Sequence, residues 1–205
     1  TAGLIVGLIL KKFLNVDIEI IYSNEIDIIG VGEGTTEHFS DFLDFVDIPY
    51  VDMFVHCDAR LKAGILFDGW GDTPFFQSPS AHLSINYAQY PVLYAKKIIN
   101  NESLSHPSIL QNKIFKDFIN DSPQLPFNQF HFDTYKLNNY LKHVSSKRGI
   151  NFIDDIITET LVCEKGIYEL QGKKNKYKYD FYIDCTGNRR ELISKLNPGW
   201  ESFND

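Results

Sequence analysis

Cysteine is scarce in this sequence, and its spacing excludes two common uses. The 205 residues contain only Cys57, Cys163 and Cys185, and no CxxC pair occurs. An odd number of widely spaced cysteines argues against a disulfide framework and against a structural zinc site. We therefore expect a protein of the reducing cytoplasm without a metal site.

Long apolar runs are also missing. No stretch approaches the ~18 apolar residues of a membrane span, and residues 1–10 show neither the basic start nor the cleavage site of a signal peptide. Hydrophobic residues make up 43% and charged residues 23% of the chain, as in ordinary globular domains. The composition predicts one globular domain, or one and a half, with no membrane partner.

Lys and Arg are absent from 13–59, whereas eleven carboxylates lie between Asp17 and Asp58. The formal net charge is −7. Such an acidic surface repels phosphate backbones, so a nucleic-acid partner is not expected.

The first segment predicts a helix followed by a strand. An apolar run ends in Lys11 and Lys12, which suit the C-terminus of a helix, and residues 16–22 then alternate as a strand does. This order suggests that a preceding strand is missing and that Gly3 ends a GxGxxG turn, whose helix faces a pyrophosphate. An ordinary helix is the alternative.

Two further features indicate a ligand site. Glycine occupies every second position at Gly30, Gly32 and Gly34, which allows a flat ligand to approach the backbone. Lys62 is a cation in the largely apolar segment 59–67, which also contains Arg60 and is predicted to be a strand. A plain glycine loop and a lysine at a strand edge are the alternatives.

Residues 71–128 are rich in proline and aromatic residues and predict an inserted segment. The aromatic residues are suited to walling a pocket for a flat substrate, although a satellite core explains them equally well. They are Phe75, Phe76, Tyr87, Tyr90 and Tyr94.

The last third of the chain predicts a helix and four strands. Asp133 is the expected N-cap of a helix over 135–147, and Gly149 is its expected C-terminal glycine. Strands are predicted at 151–153, 156–164, 167–171 and 177–183. The segment Asp184-Cys185-Thr186-Gly187 follows the last of them, where α/β sheets bind cofactors.

Four segments, in this order, resemble the flavin-dependent halogenases of the tryptophan halogenase type. Thr1-Ala2-Gly3 is similar to the end of the family's GGGTAG turn, and residues 29–35 (IGVGEGT) are similar to its IGVGEAT flavin loop. Residues 42–49, followed by Lys62 and Trp70, are similar to a helix ending FDFLGIP, a lysine in an apolar strand and a tryptophan. His131-Phe132-Asp133 and residues 181–189 are similar to its HFD helix and its LFIDCSGFR segment.

The resemblance implies an α/β fold, of the FAD/NAD(P)-binding flavin-monooxygenase-like type, with an inserted substrate region. It divides the chain into residues 1–70 with the flavin loop and the lysine, the inserted segment 71–128, and a return to the FAD-binding domain over 129–205. We expect a fragment truncated at both ends. The residues implied in FAD binding are Thr1, Ala2, Gly3, Ser23, Ile26, Gly30, Val31, Gly32, Glu33, Gly34, Thr35 and Ile156.

The implied activity is FADH2-dependent halogenation of an electron-rich aromatic ring, an indole or a phenol. A separate flavin reductase supplies FADH2, and O2 and a halide ion yield hypohalous acid. Lys62 is the implied catalytic residue and holds this oxidant by hydrogen bonding or as a haloamine. A homodimer is compatible with this interpretation. The alternatives are a flavin-dependent aromatic hydroxylase and a non-catalytic flavin-fold remnant that binds a partner through its acidic face.

The sequence departs from the family at three places. Tyr22 stands where the family has a glutamate at the end of its second strand, and Thr36-Glu37 stands where tryptophan-specific members have Ile-Pro. The family's WxWxIP signature and its second catalytic residue, a glutamate, have no counterpart in these residues. Ribose recognition and the substrate are therefore expected to differ from those members.

Overall fold

The computed structural model describes residues 1–196 and 199, apart from residues 29, 31, 37, 63–64, 72–74 and 78–128. The chain forms two compact units. The first consists of Thr1–Ile29 and Asn138–Asp205, and the second of Gly30–Leu137.

Four α-helices lie in the described residues, and the capping residue is clear for one end of two of them. Asn15 ends the first helix in the left-handed conformation, with its N–H on the Lys11 carbonyl. Asp133 caps the fourth, because its carboxylate accepts the Lys136 N–H at 2.9 Å, as predicted. The helices are α1 (Ala2–Leu14), α2 (His38–Phe45), α3 (Tyr50–His56) and α4 (Thr134–Lys147).

Ten short strands form four small sheets in the described part of the chain. The pairings are β1 with β7, β10-β9-β8, β2-β6-β3, and β4 with β5; only the first is parallel. The strands are β1 (Glu19–Tyr22), β2 (Gly32–Gly34), β3 (Arg60–Leu61), β4 (Ile65–Phe67), β5 (Phe75–Gln77), β6 (Phe130–Asp133), β7 (Asn151–Asp154), β8 (Ile157–Cys163), β9 (Gly166–Gly172) and β10 (Lys176–Tyr177).

In the first unit, α1 packs on the parallel pair of strands. Leu4 and Leu8 are buried, and Gly7 lies so close to β1 that a methyl group there would be 3.2 Å from Ile20 Cδ1. Leu170, Tyr177 and Leu192 form a second buried cluster beside the antiparallel sheet. The first unit therefore consists of a helix packed on a parallel pair of strands, together with an antiparallel sheet that has its own buried cluster.

In the second unit, α2 and α3 pack against the β2-β6-β3 sheet. Phe39 stacks on Phe132 of the central strand with ring centroids 5.8 Å apart, and Phe54 meets Phe130 edge to face at 5.7 Å. Leu43 is fully buried. These contacts fix the central strand β6, which pairs with both β2 and β3.

Two predicted strands are wrong. Residues 59–67 do not form one strand, because β3 pairs with β6 whereas β4 pairs with β5. The strand predicted over 177–183 ends at Tyr177. Beyond it, backbone N–H groups bond to side chains instead of a ladder, as the N–H of Tyr179 does to the Tyr182 hydroxyl.

Candidate functional site

Lys62 directly follows β3 and is partly buried. Its backbone N–H donates to the Gln129 carbonyl at 2.9 Å, which extends the β3–β6 pairing by one residue. Its ammonium Nζ donates to the Thr35 carbonyl at 3.1 Å. The lysine is therefore held at both ends, and a charged ammonium has two more N–H groups available to bind a ligand.

Thr35 ends the glycine loop and is hydrogen-bonded to β6. Its N–H donates to the Phe130 carbonyl at 2.8 Å, and its hydroxyl accepts the Phe130 N–H at 2.8 Å. Only 7% of Thr35 and 2% of Phe130 are exposed. The side chain that the resemblance implied in FAD binding is thus turned into the protein.

The side chains of His131 and Lys62 both approach Gly34. Gly34 pairs with His131 in the β2–β6 register. A methyl group on Gly34 would lie 3.2 Å from His131 Nδ1 and 3.7 Å from Lys62 Cδ. Both side chains therefore lean over the glycine, and the absence of a side chain there leaves them room.

The rest of the glycine loop is described in part. Gly32 and Glu33 pair with Asp133 and Phe132 as the first residues of β2. Gly30 lies against the Glu33 carboxylate, which would be 2.5 Å from a methyl group at that glycine. Val31 lies outside the described residues. Gly32–Gly34 therefore form an edge strand whose backbone pairs with β6.

The first turn of α1 forms a second candidate site, in the first unit. Thr1 does not cap the helix with its side chain, because its hydroxyl accepts the Asn138 amide at 2.8 Å. Gly3 lies against Cys185: a methyl group placed on Gly3 would be 3.7 Å from the Cβ of Cys185. The amides of the first helical turn remain suited to an anion.

The Asp184 carboxylate stabilises the turn that lies beside the start of α1. Its carboxylate accepts hydrogen bonds from the Thr186 N–H and hydroxyl and from the N–H groups of Leu192 and Ile193, all between 2.6 and 3.0 Å. Burial alone would raise the pKa of Asp184, but these hydrogen bonds outweigh burial and hold the pKa below its usual value of 3.8. Burial and then Asp184 raise the pKa of the Cys185 thiol, which favours the protonated thiol.

A cavity of about 490 Å³ adjoins the start of α1 and this turn. Its volume falls within the ~300–1,000 Å³ of small-molecule and cofactor sites. The cavity brings together the helix start and the Asp184 segment, which the sequence predicted to bind a cofactor separately. It is lined by Ala2, Asp184, Cys185, Gly187, Arg190 and Ile193.

The remaining predicted contacts lie at the ends of β1 and β7. The Ser23 hydroxyl accepts the Glu25 N–H at 3.0 Å, and Ile26 is exposed. Ile156 follows Asp155, whose carboxylate accepts the Ile156 N–H at 2.8 Å. Tyr22, which replaces the family's glutamate, lies beneath the Lys142 ammonium at 3.7 Å from the ring centroid.

No group of three or more metal-ligating side chains occurs in the part of the chain that the structure describes. Within the same residues, no helix has the length and apolar character needed to cross a membrane. The aromatic residues Tyr87, Tyr90 and Tyr94 lie outside the described residues, and only the backbone of Phe75 and Phe76 is described.

Comparison with protein families gives a match over the whole chain. The family model described as tryptophan halogenase matches residues 1–205. The chain belongs to the tryptophan halogenase family. The match includes the glycine loop, Lys62 and the Asp184 segment together.

Relatives and solved structures agree with this family. A tryptophan 6-halogenase of Streptomyces albogriseolus is 27% identical over 225 residues, which are 95% of this chain and 42% of that protein. A 7-chloro-L-tryptophan 6-halogenase of Kutzneria is 23% identical over 100% of this chain and 46% of that protein. A solved flavin-dependent halogenase from Xanthomonas campestris has a TM-score of 0.75 at 21% identity, over 97% of this chain and 43% of that one.

These matches confirm the predicted α/β fold of the flavin-dependent halogenases. The chain spans less than half the length of the curated relatives it matches.

Sequence reasoning missed three features of the site. His131 was noted only as part of a motif, and its place beside Lys62 depends on the strand register. The Thr35 hydroxyl bond to Phe130 joins residues 95 positions apart, and no local pattern predicts it. Arg190, which lines the cavity, follows the Asp184 segment closely and could have been found from that proximity.

Proposed function

We propose that the protein containing this chain halogenates an electron-rich aromatic substrate with FADH2, O2 and halide, and that Lys62 positions the oxidant. The observation that carries the proposal is the attachment of the Lys62 ammonium to the Thr35 carbonyl, at the end of the glycine loop. The family supports the halogenase chemistry, and this attachment supports a role for the lysine within it.

The start of α1 fits the pyrophosphate of FAD. In the first unit, the uncapped start of α1 adjoins a cavity of about 490 Å³, and uncapped helix amides suit a pyrophosphate. Thr1, Ala2 and Gly3 would hold that group. Ser23, Ile26 and Ile156 would contact the adenosine part, and the loop Gly30–Thr35, with Val31, would approach the flavin ring. When bound, reduced FAD would supply the two electrons with which O2 converts halide to hypohalous acid and water.

Lys62 would act on the released oxidant. Its free N–H groups can donate to the oxygen of hypohalous acid, which polarises the O–halogen bond. Alternatively, the neutral amine attacks the halogen, so that an N–halogen bond forms, the O–halogen bond breaks and water leaves. In either case the aromatic carbon takes the halogen and finally loses its proton. An arginine could not follow the second route, because guanidinium stays charged.

The substrate is proposed to be an indole or a phenol, since electrophilic halogen requires an electron-rich ring. The two curated relatives are named for tryptophan and 7-chloro-L-tryptophan, so free tryptophan and indole are the first substrates to test. The segment 71–128 is proposed to contact the substrate, and a separate flavin reductase is the proposed partner.

A halide requirement tests the proposal against the hydroxylase alternative. The full-length protein would be supplied with FADH2 by a separate reductase, together with tryptophan, indole or phenol, with and without chloride or bromide. Mass spectrometry should show a halogenated product only when halide is present. A hydroxylated product that forms without halide would show that the protein is a monooxygenase and not a halogenase. Failure of the full-length protein to bind FAD would favour the non-catalytic remnant.

A further inference from the structure

Thr35 joins the glycine loop to β6 through two adjacent hydrogen bonds. Its N–H and its hydroxyl engage the carbonyl and the N–H of Phe130, each at 2.8 Å. Both residues are buried, so water does not compete for these groups. The backbone of Thr35, including its carbonyl, is therefore fixed relative to the central strand.

That carbonyl is the acceptor for the Lys62 ammonium, at 3.1 Å. A lysine side chain loses rotamer freedom when it is held in one geometry. The fixed carbonyl, together with the Lys62 N–H on Gln129, provides the partners that hold it. A displaced carbonyl would release the ammonium while leaving the lysine itself intact.

We propose that Thr35 is the positioning residue for Lys62: its hydroxyl bond to Phe130 fixes the carbonyl that orients the ammonium. The inference rests on the proposed function, because it takes Lys62 as the residue that handles the oxidant. It assigns the Thr35 side chain a role toward the lysine, apart from the FAD contact that the family resemblance implies.

Three variants isolate the hydroxyl. Thr35→Val keeps the shape but leaves the buried Phe130 N–H without its acceptor, and Thr35→Ser keeps the acceptor. The matched control is Thr160→Val in β8, because Thr160 is equally buried at 7% exposure and bonds to the Glu191 carbonyl through its hydroxyl. Thr35→Ala, which also lacks the hydroxyl, takes the place of valine if valine prevents folding.

The first readout is the halogenated product per FADH2 oxidised in the full-length protein, with indole and bromide. In Thr35→Val this ratio should fall about tenfold, as expected for the loss of one well-made hydrogen bond, while the rate of FADH2 oxidation is retained. Thr35→Ser should restore the ratio, and Thr160→Val should leave it at the wild-type value. An equal fall in Thr160→Val would indicate lost stability alone and overturn the inference.

The second readout needs neither turnover nor FAD. Acetylation of Lys62 by acetic anhydride, followed by mass spectrometry, reports how firmly the amine is held. The rate should rise about threefold in Thr35→Val, by release of a hydrogen bond, and stay unchanged in Thr35→Ser and Thr160→Val. An unchanged rate in Thr35→Val would overturn the positioning role.

The two proposals fail separately. Normal halogenation by Lys62→Met would end the proposed function, whereas the acetylation experiment would still decide whether Thr35 holds Lys62. Loss of halogenation in Lys62→Met with wild-type behaviour of Thr35→Val would leave the function standing and refute the inference.

Discussion

Gly34 provides the space that His131 and Lys62 share, and filling it should couple the three positions energetically. A methyl group at Gly34 would lie 3.2 and 3.3 Å from His131 Nδ1 and Cε1. These separations are tighter than ordinary van der Waals contact, so one neighbour has to move. His131 is exposed, and its ring can give way by a few tenths of an ångström for alanine, which the family's IGVGEAT loop has at this position.

Valine at this position fills more of the same space. Overpacking of a core costs about 1–3 kcal/mol; because Gly34 and His131 are both exposed, Gly34→Val should fall in the lower part of that range and lower the free energy of unfolding by about 1.5 kcal/mol. His131→Ala alone should change it by less than about 0.5 kcal/mol, because the ring is at the surface. In the double variant the ring that valine meets is gone, and the two changes should deviate from additivity by about 1 kcal/mol.

Urea unfolding of the full-length protein, followed by far-UV circular dichroism with a common m-value, measures all four corners of this cycle. Gly34→Ala is the matched control and should stay within about 1 kcal/mol of the wild type, since the unfolded chain also loses freedom. Additivity within about 0.3 kcal/mol would refute the placement of His131 over Gly34.

Three further predictions concern the rest of the described structure. Asp133→Ala removes the N-cap of α4 and should cost about 1 kcal/mol in thermal unfolding, whereas Asp133→Asn should retain most of it; equal losses would contradict the cap. The pKa of Asp184 is held below 3.8 in the folded protein, so its contribution to stability is present above that pH and is lost as pH falls through the lowered pKa. Unfolding between pH 6 and pH 2 should therefore show a flatter pH dependence in Asp184→Asn, and an unchanged slope would refute the hydrogen-bonded turn. Burial, followed by the charges of Asp52, Asp133 and Asp58, raises the pKa of Cys57 to about 12, so iodoacetamide at pH 8 should label exposed Cys163 and reach Cys57 only after unfolding; rapid labelling of Cys57 in the native protein would argue against its burial.

The ends of α1 and α4 could be predicted from the sequence, because local chemistry determines them. Lys11 and Lys12 occupy the last turn of α1, and Asp133 and Gly149 bracket α4 as their residue types suggest, with Gly149 at a φ of 79°. α3 was not predicted: it is only seven residues long, too short for apolar periodicity to be decisive.

The strands could be predicted less well, because a strand needs a partner that the sequence does not name. Residues 178–183 contain the alternating apolar pattern, yet Phe181 is 79% exposed. The neighbouring Asp184 carboxylate accepts hydrogen bonds from backbone N–H groups. Side-chain acceptors there compete with a ladder. Similarly, Lys62 was expected inside one strand and instead follows β3.

The candidate site was predictable in its parts and not in its contacts. The flavin loop, Lys62 and the Asp184 segment were found from motifs. The Thr35–Phe130 bond and the His131–Gly34 pairing depend on long-range register, which no single segment specifies. The assignment of FAD contacts and of Lys62 as catalytic stays a prediction.

Lys62→Met in the full-length protein tests the central claim most directly. Methionine keeps an unbranched apolar stem while removing the ammonium that bonds to Thr35. The measurement is product by mass spectrometry alongside FADH2 oxidation, with Lys165→Met, an exposed lysine in the turn between β8 and β9, as the control. We predict loss of halogenated product with FADH2 oxidation retained in Lys62→Met. Halogenated product at a near wild-type rate from correctly folded Lys62→Met would contradict it.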